Sequence, residues 1–148
     1  MKTLILSAAV ALFSLSANAS GSKEKSNVSF RCVQSFEKEF GYVADVKWSN
    51  AMNHMSRADF VQDDEPVTAY FDEAGEFVAS TYTMQFDQLP KMLRSKIKEK
   101  LPTANVITVF RVNTGTDVSY YFETEKDGEK KLYKGKEYGD FTRHYVKS

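Results

Sequence analysis

One stretch of the sequence has the residue types and the spacing of a calcium-binding loop. Acids at alternate positions lead to a glycine, as in the first half of an EF-hand loop: Glu123, Glu125, Asp127 and Gly128. The last ligand position of such a loop would fall on Lys134, a cation where a bidentate glutamate is required. The similar stretch DEAGE at 72–76 lacks the alternation altogether. Because Asp-Gly between alternating apolar residues favours a tight turn, both stretches predict β-hairpin turns rather than metal sites.

A second group of possible metal ligands lies in the segment AMNHM, which contains Met52, His54 and Met55. Thioether and imidazole groups suit Cu(I), so the three residues could form a copper site. Methionine also fills irregular gaps in protein cores, which is the competing interpretation. A periplasmic ligand or metal sensor, for copper or calcium, is therefore the alternative function to test.

Residues for catalysis do not form a recognisable set. Cys32 is the only cysteine and lies on the apolar side of a predicted helix, which favours a buried, unreactive thiol. The acids at 63–65 fall in a predicted turn, where carboxylates are normally solvated. The sequence has no nucleophile elbow and no glycine-rich phosphate loop. We therefore expect no enzyme activity, no catalytic or metal-binding residues and no cofactor.

Tyrosines in the predicted strands form the more informative pattern. Because side chains alternate between the two faces of a strand, four tyrosines are predicted to share the sheet face that the helices leave uncovered: Tyr70, Tyr82, Tyr121 and Tyr133. Tyrosine is enriched in protein interfaces, so this face is the predicted partner-binding surface. The competing interpretation is that the tyrosine side chains only pack on a half-exposed sheet and bind no partner.

The second predicted helix is basic on its outer side. Its cationic residues are Lys91, Arg94, Lys96, Lys98 and Lys100. Such a stripe is typical of a solvated helix face, and it could also dock an acidic partner.

Apolar spacing and turn residues predict the elements that position these groups. Apolar residues recur every three or four positions in residues 29–41 and 87–102, which predicts two helices. Strands are predicted where β-branched and aromatic residues concentrate: 42–48, 67–72, 76–86, 104–112, 117–123 and 130–135. Residues 49–66 are predicted to be loop with an irregular or short strand, and residues 138–148 a last edge strand.

This order predicts two helix-strand-strand-strand repeats, at about 29–86 and 87–136, and so a structural duplication. One helix per repeat on a shared antiparallel sheet gives a two-layer α+β domain over 29–148, with both helices on one face.

The ends of the chain bear on its location. Residues 1–19 have the pattern of a signal peptide, with Lys2, an apolar run and the cleavage site ANA, followed by a flexible leader at 20–28. Removal of 1–19 from a chain of 148 leaves 129 residues, of which 19 are basic and 20 acidic. No segment reaches the length of a membrane span, and the balanced charge favours no nucleic-acid partner.

Several of these features together resemble the PepSY-like family of exported bacterial proteins. The cues are an aromatic helix leading to Trp48, a hairpin with Phe71-Asp72 and Gly75, and a helix start at Leu89-Pro90. The resemblance covers roughly residues 30–136 and implies a small periplasmic or secreted protein with a fold similar to β-lactamase-inhibitory protein (BLIP).

The resemblance also implies a kind of function. The inhibitor relatives grip an enzyme with a concave sheet, and PepSY domains of protease propeptides are thought to restrain peptidases. No inhibitory residue can be carried over to this sequence. We therefore expect an exported, non-enzymatic binding or inhibitory module of the bacterial envelope, whose partner is another envelope or secreted protein.

Overall fold

The structure is a computed structural model in which residues 28–145 are described. The predicted signal peptide (1–19), residues 20–27 of the predicted leader and residues 146–148 lie outside this range. The described helices and strands follow in chain order: α1 Phe30–Phe40, β1 Lys47–Asn50, β2 Ser56–Gln62, β3 Glu65–Phe71, β4 Phe77–Thr83, α2 Lys91–Lys100, β5 Asn105–Asn113, β6 Val118–Lys126, β7 Glu129–Gly135 and β8 Phe141–Arg143. Short 3₁₀ turns occupy Met52–His54 and Phe86–Gln88.

The eight strands form one antiparallel sheet in which they neighbour each other in sequence order. With two helices, this is the predicted α+β fold. Each helix is followed by four strands rather than three: Ser56–Gln62 forms β2 after α1, and Phe141–Arg143 forms β8 after α2, within the predicted edge strand. β2 does alternate, with Ala58 and Phe60 buried and Arg57, Asp59 and Val61 not, but the alternation is too short to stand out from the irregular residues before it. The structural duplication itself stays a prediction.

The chain divides into two compact units with the boundary between Ser80 and Thr81. In the first unit, the Ser29 hydroxyl caps α1 by accepting a hydrogen bond from the Cys32 amide at 3.3 Å. Phe36, in the middle of the helix, contacts four rings at centroid distances of 4.8–6.3 Å: Phe40, Trp48, Phe60 and Phe71. The core of this unit is therefore a cluster of aromatic rings between α1 and the strands.

The core of the second unit is built on aliphatic residues of α2. Leu89 precedes the helix, and Leu93 and Ile97 lie one turn apart on its buried side. They pack against Val109 and Phe122, with Tyr120, Tyr133 and Phe141 at the margin. Because Phe122 pairs with Tyr133 across β6 and β7, the two share the sheet face that α2 covers.

The two acidic glycine stretches are turns, as predicted. Asp127 and Gly128 both have positive φ, +53° and +77°, and join β6 to β7 as a two-residue hairpin loop. Gly75, at φ +83°, lies in the turn between β3 and β4, where a Cβ would come within 2.6 Å of the Arg31 Cβ on α1. The turn in the first unit therefore packs against its helix, whereas nothing lies within 4 Å of a Cβ built on Gly128.

Candidate functional site

The structure places two of the four predicted interface tyrosines in the interior. Tyr70 is 2% exposed to solvent and Tyr121 is 0% exposed, so the expectation that they are exposed on an uncovered face is wrong. Tyr70 packs against Met55 and Val78 in the first unit. Tyr121 stacks on Phe110 at 5.3 Å in the second. Alternation along a strand tells which residues share a face, but it does not tell what buries that face.

The other two predicted tyrosines are half-buried and also differ from the expectation. Tyr133 lies beside Phe122 under α2, on the sheet face opposite to Tyr121. Tyr82 packs against Arg111, whose guanidinium carbon lies 4.2 Å from the ring centroid. Partner binding by Tyr70, Tyr82, Tyr121 and Tyr133 stays a prediction, and the four do not share one exposed face.

The highly exposed tyrosines are three that the strand pattern did not select. Tyr42 is 93% exposed, Tyr138 76% and Tyr145 71%. All three lie outside the strands, so a search for period-two alternation passes over them. Tyr138 and Tyr145 flank the edge strand β8, within a few residues of the cleft described below.

The possible copper ligands do not converge. Met55 is buried against Tyr70, whereas Met52 is 49% exposed in the adjacent 3₁₀ turn. The exposed His54 Nδ1 lies 3.7 Å from Glu73 Oε1. Met55 would have to leave the core to reach a shared metal, which favours the core-methionine interpretation.

Other predicted ligand sets are also dispersed. Among residues 28–145, no three His, Cys, Asp or Glu residues come together in a way that could hold a metal ion. The Cys32 thiol is buried and accepts a hydrogen bond from the Ser29 hydroxyl at 3.3 Å, as expected of a structural cysteine.

The best candidate for a binding site is an open cavity of about 360 Å³ in the second unit, here called the lysine cleft. Its walls come from the end of α2, the end of β7 and the start of β8: Lys100, Lys134, Lys136, Asp140, Phe141 and Thr142. Thr142 pairs with Lys134 across the two strands, and the turn between them is closed by the Lys136 amide donating to the Asp140 carbonyl at 2.9 Å. The Lys134 side chain lies with Tyr121 on the sheet face opposite α2, whereas Lys100 lies over Phe141 on the face that α2 covers, so these two charges are on opposite faces of the sheet.

A hydrogen-bonded network fixes one of the three lysines. The Lys136 ammonium donates to both oxygens of Asp117, to Oδ1 at 2.6 Å, and to the Ser119 hydroxyl at 3.0 Å. Ser119 in turn donates to Asp117 at 3.0 Å. The hydrogen bond from Lys136 and that from Ser119 hold the pKa of the Asp117 carboxyl below its ordinary value. Asp117 thus stays ionised and neutralises Lys136.

The other two lysines carry charge that is not neutralised within the described part of the chain. Lys134 Nζ lies 5.8 Å from the Tyr121 ring centroid, and Lys100 Nζ lies 5.4 Å from that of Phe141. Among residues 28–145, neither ammonium group has a carboxylate within ion-pair distance. Partial burial, together with the charge of Lys136, lowers the pKa of Lys134.

Beneath Lys134, the sheet face opposite α2 is aromatic. His144 meets the Tyr121 ring edge-on at 5.4 Å, and burial followed by the charge of Lys134 lowers the pKa of its imidazole. Burial and the nearby Asp117 charge raise the pKa of Tyr121 to about 12. The Tyr121 hydroxyl is buried without a hydrogen-bond partner in the described residues, so this aromatic layer contributes packing rather than reactive groups.

The residues that line the cavity include no nucleophile paired with a base. The sequence carried a signal for the cavity. The segment Lys134-Gly135-Lys136 sends both lysines to one side of β7, and Lys100 ends the basic helix face already noted. What the sequence does not reveal is that α2 and β7 bring these charges to one cavity.

Comparison with known proteins shows the fold. No protein-family model and no curated protein matches the chain. Among solved structures, a BLIP-like protein from Bacteroides fragilis superposes with a TM-score of 0.72 at 16% identity, covering 78% of this chain and 84% of the other. The fold is BLIP-like.

Two further solved structures have a fold similar to that of this chain. A DUF2874 family protein from Bacteroides uniformis gives a TM-score of 0.71 at 16% identity, covering 78% and 87% of the two chains. A protein from Bacteroides eggerthii described as a putative periplasmic protein gives 0.68 at 15% identity, covering 78% and 88%. The expected BLIP-like fold is thus confirmed, whereas the resemblance to PepSY-like proteins stays a prediction.

One structural finding bears on membranes. Within residues 28–145, neither helix has the length and apolar character needed to cross a bilayer.

Proposed function

We propose that the protein is an exported, non-enzymatic module that binds another protein of the bacterial envelope, and that the lysine cleft with its flanking tyrosines is the contact surface. The observation that carries this proposal is the cleft itself. It combines unneutralised lysines with an apolar wall, Phe141, at the rim of the sheet. Tyr138 and Tyr145 provide large exposed rings on either side of β8, the residue type that most often anchors interfaces.

Two observations support the proposed location. Residues 1–19 have the pattern of a signal peptide, and the similar protein from Bacteroides eggerthii is described as a putative periplasmic protein. Inhibition of an enzyme, as the BLIP-like fold implies by analogy, is one form such binding can take. A metal-sensing role is less well supported, because Met55 is buried away from Met52 and His54.

Site-specific photo-crosslinking tests this function. A photoreactive phenylalanine analogue is placed at Tyr138, and in a matched variant at Tyr82, which is half-buried against Arg111. The protein is then irradiated in envelope extract of its host. We expect one crosslinked envelope protein from position 138 and none from position 82.

The same experiment can overturn the proposal. Folded protein that gives no adduct from position 138 has no partner at this surface. Equal adducts from positions 138 and 82 would mean non-specific contact.

A further inference from the structure

We infer that a small cavity in the first unit binds a compact quaternary ammonium group, such as that of choline. The cavity, here called the aromatic pocket, has a volume of about 110 Å³ and lies between the second half of α1, the loop that follows it and β1. Phe36 and Trp48 form its walls, and the exposed residues Glu37 and Tyr42 lie at its rim. This inference goes beyond the proposed function and does not rest on the lysine cleft.

The size of the aromatic pocket limits its ligand to one compact group. Sites for drug-sized ligands have volumes of about 300–1,000 Å³, several times larger than this cavity. The half-buried Val33, Val43 and Val46 complete the apolar part of the lining. A trimethylammonium group therefore fits the pocket, whereas a longer ligand would insert only its end group.

The aromatic walls favour a cation over a neutral group of the same shape. The Phe36 and Trp48 ring centroids lie 5.6 Å apart at an interplanar angle of 68°, so the two rings form adjoining walls. The face of an aromatic ring attracts a cation within about 6 Å of its centroid, and tryptophan attracts it most strongly. Several rings around one cavity are the usual means by which proteins recognise quaternary ammonium groups.

Two sources of negative charge act beside these rings. The Glu37 carboxylate lines the pocket, and no cation in the described part of the chain lies within ion-pair distance of it. α1 ends at Phe40 and Gly41 also lines the pocket, so the negative end of the helix dipole lies beside the cavity. The lysines that are close in sequence, Lys38 and Lys47, do not line it. The electrostatics of the pocket therefore favour a positive ligand.

The scarcity of hydrogen-bond acceptors favours a quaternary over a primary ammonium group. A primary ammonium group has three N–H donors, and each of them needs an acceptor when water is displaced. Among the side chains that line the pocket, only the Glu37 carboxylate and the Tyr42 hydroxyl accept hydrogen bonds, and both residues are exposed at the rim. A quaternary ammonium group has no N–H donors and presents methyl groups to the apolar walls, so it leaves no donor unsatisfied.

The test is a titration of the purified protein followed by NMR. The probes are choline, the neutral analogue in which carbon replaces the nitrogen of choline, and ethanolamine, its primary-ammonium counterpart. We expect choline to give saturable shifts of the amide signals of residues 33–48 and of the Trp48 indole signal. The neutral analogue and ethanolamine should bind at least several-fold more weakly.

A matched pair of charge variants tests the role of the carboxylate. Glu37→Gln should weaken choline binding about two- to five-fold, the loss of one exposed ion pair. The control, Glu39→Gln, removes the same charge from the same helix but not from the pocket. Melting temperatures of both variants establish that they are folded.

A second pair tests the ring at the rim. Tyr42→Ala should weaken choline binding about two- to five-fold, the loss of one cation–π contact at an exposed site. The melting temperature should not change, because the side chain is 93% exposed. The control is Tyr138→Ala, which removes an exposed ring from the second unit.

Three outcomes would overturn the inference. The absence of saturable shifts in residues 33–48 would mean that the pocket binds no quaternary ammonium group. Equal binding of the neutral analogue would make it an apolar cavity without preference for a cation, and equal losses in Glu37→Gln and Glu39→Gln would place the effect in the general charge of the helix. The crosslink at Tyr138 reports on a different surface, so this inference and the proposed function can fail separately.

Discussion

In the first unit, Arg57 and Asp59 lie on the sheet face opposite α1, next to the buried Tyr70. The guanidinium donates to one oxygen of Asp59 through Nε at 3.0 Å and Nη2 at 2.8 Å, and the Thr68 hydroxyl donates to the same oxygen at 2.6 Å. In the second unit, Lys136, Asp117 and Ser119 form an equivalent group beside the buried Tyr121. Both units thus place a charged pair next to an interior phenol.

The two groups differ in what surrounds them. In the group of the first unit, one cation pairs with one carboxylate, so the two charges balance. The second adds Lys134, whose ammonium group lies over the Tyr121 ring and has no carboxylate among the described residues within ion-pair distance. The second unit therefore carries surplus positive charge beside its buried phenol, whereas the first unit does not.

The cores under the helices differ as well. α1 buries Phe36 in a cluster of rings, whereas α2 buries Leu93 and Ile97. An aromatic cluster depends heavily on its central ring, while an aliphatic layer spreads the same buried area over several smaller side chains. The following predictions test these contrasts, beginning with the largest expected effect.

Phe36→Ala should lower the free energy of unfolding by about 3–5 kcal/mol, because it removes the ring that four others contact. Urea denaturation followed by circular dichroism measures this loss. The control is Phe30→Ala on the same helix, where the side chain is 73% exposed and the loss should stay below about 0.5 kcal/mol. Equal losses would show that the aromatic cluster has no central residue.

The two turn glycines provide the second contrast. Alanine at either position must adopt positive φ, which costs about 1–2 kcal/mol. Gly75→Ala adds a clash with Arg31 of α1, so it should cost at least about 1 kcal/mol more than Gly128→Ala, which meets nothing within 4 Å. Denaturation midpoints of the two variants measure the difference, and a larger loss for Gly128→Ala would contradict the packing of the first turn on α1.

Tyr121→Phe should leave the stability at pH 7 unchanged or raise it by up to about 1 kcal/mol, because the hydroxyl it removes is buried without a partner in the described residues. The pKa of Tyr121 is raised to about 12 from an ordinary value of 10. Its contribution is therefore present below pH 10 and is lost as the pH rises from 10 through 12. The variant should lose less stability than the wild type between pH 9 and pH 11. If the stabilities of the variant and the wild type changed equally with pH, the phenol would not be buried away from water.

Asp117→Asn should give a small loss of about 0.2–1 kcal/mol at pH 7, because the pair with Lys136 is exposed. The pKa of Asp117 is lowered, so its stabilisation is present above the ordinary carboxyl pKa and disappears as the pH falls through the folded-state value. The difference between wild type and variant should therefore shrink from pH 7 to pH 2. A difference that persists at pH 2 would assign the effect to something other than the carboxylate charge.

The sequence alone predicted the fold class, both helices and most strands, because long periodic segments and turn residues specify these elements locally. The hairpin at Asp127-Gly128 is an example, since both residues tolerate the positive φ that the turn requires. The strand at 56–62 was predicted only as an irregular or short strand somewhere in residues 49–66, because its buried residues, Ala58 and Phe60, form too short an alternation to locate without its neighbours.

The candidate site was less predictable, since it depends on contacts between segments distant in sequence. Alternation grouped Tyr70 with Tyr121, but burial depends on what packs over each face, and both side chains are interior. Lys100 and Lys134 are 34 positions apart in the chain, and only the packing of α2 on the sheet brings them to one cavity. The exposed Tyr138 lies in a turn, where no periodic pattern applies.

The shortness of β8 has one more consequence. Only three residues of β8 pair with β7, at Tyr133, Lys134 and Gly135, so the outer edge of the first half of β7 lacks a strand partner in the described chain. That stretch carries Lys130 and Lys131, and Arg143 ends the short strand beside it; Glu129 pairs with Lys131 at 3.0 Å and with Arg143 at 3.6 Å, so one carboxylate faces three cations and the edge stays positively charged. Neighbouring copies that approached edge to edge would bring these like charges together. The same cationic rim therefore helps to keep the sheet from growing into a fibre when the protein is concentrated.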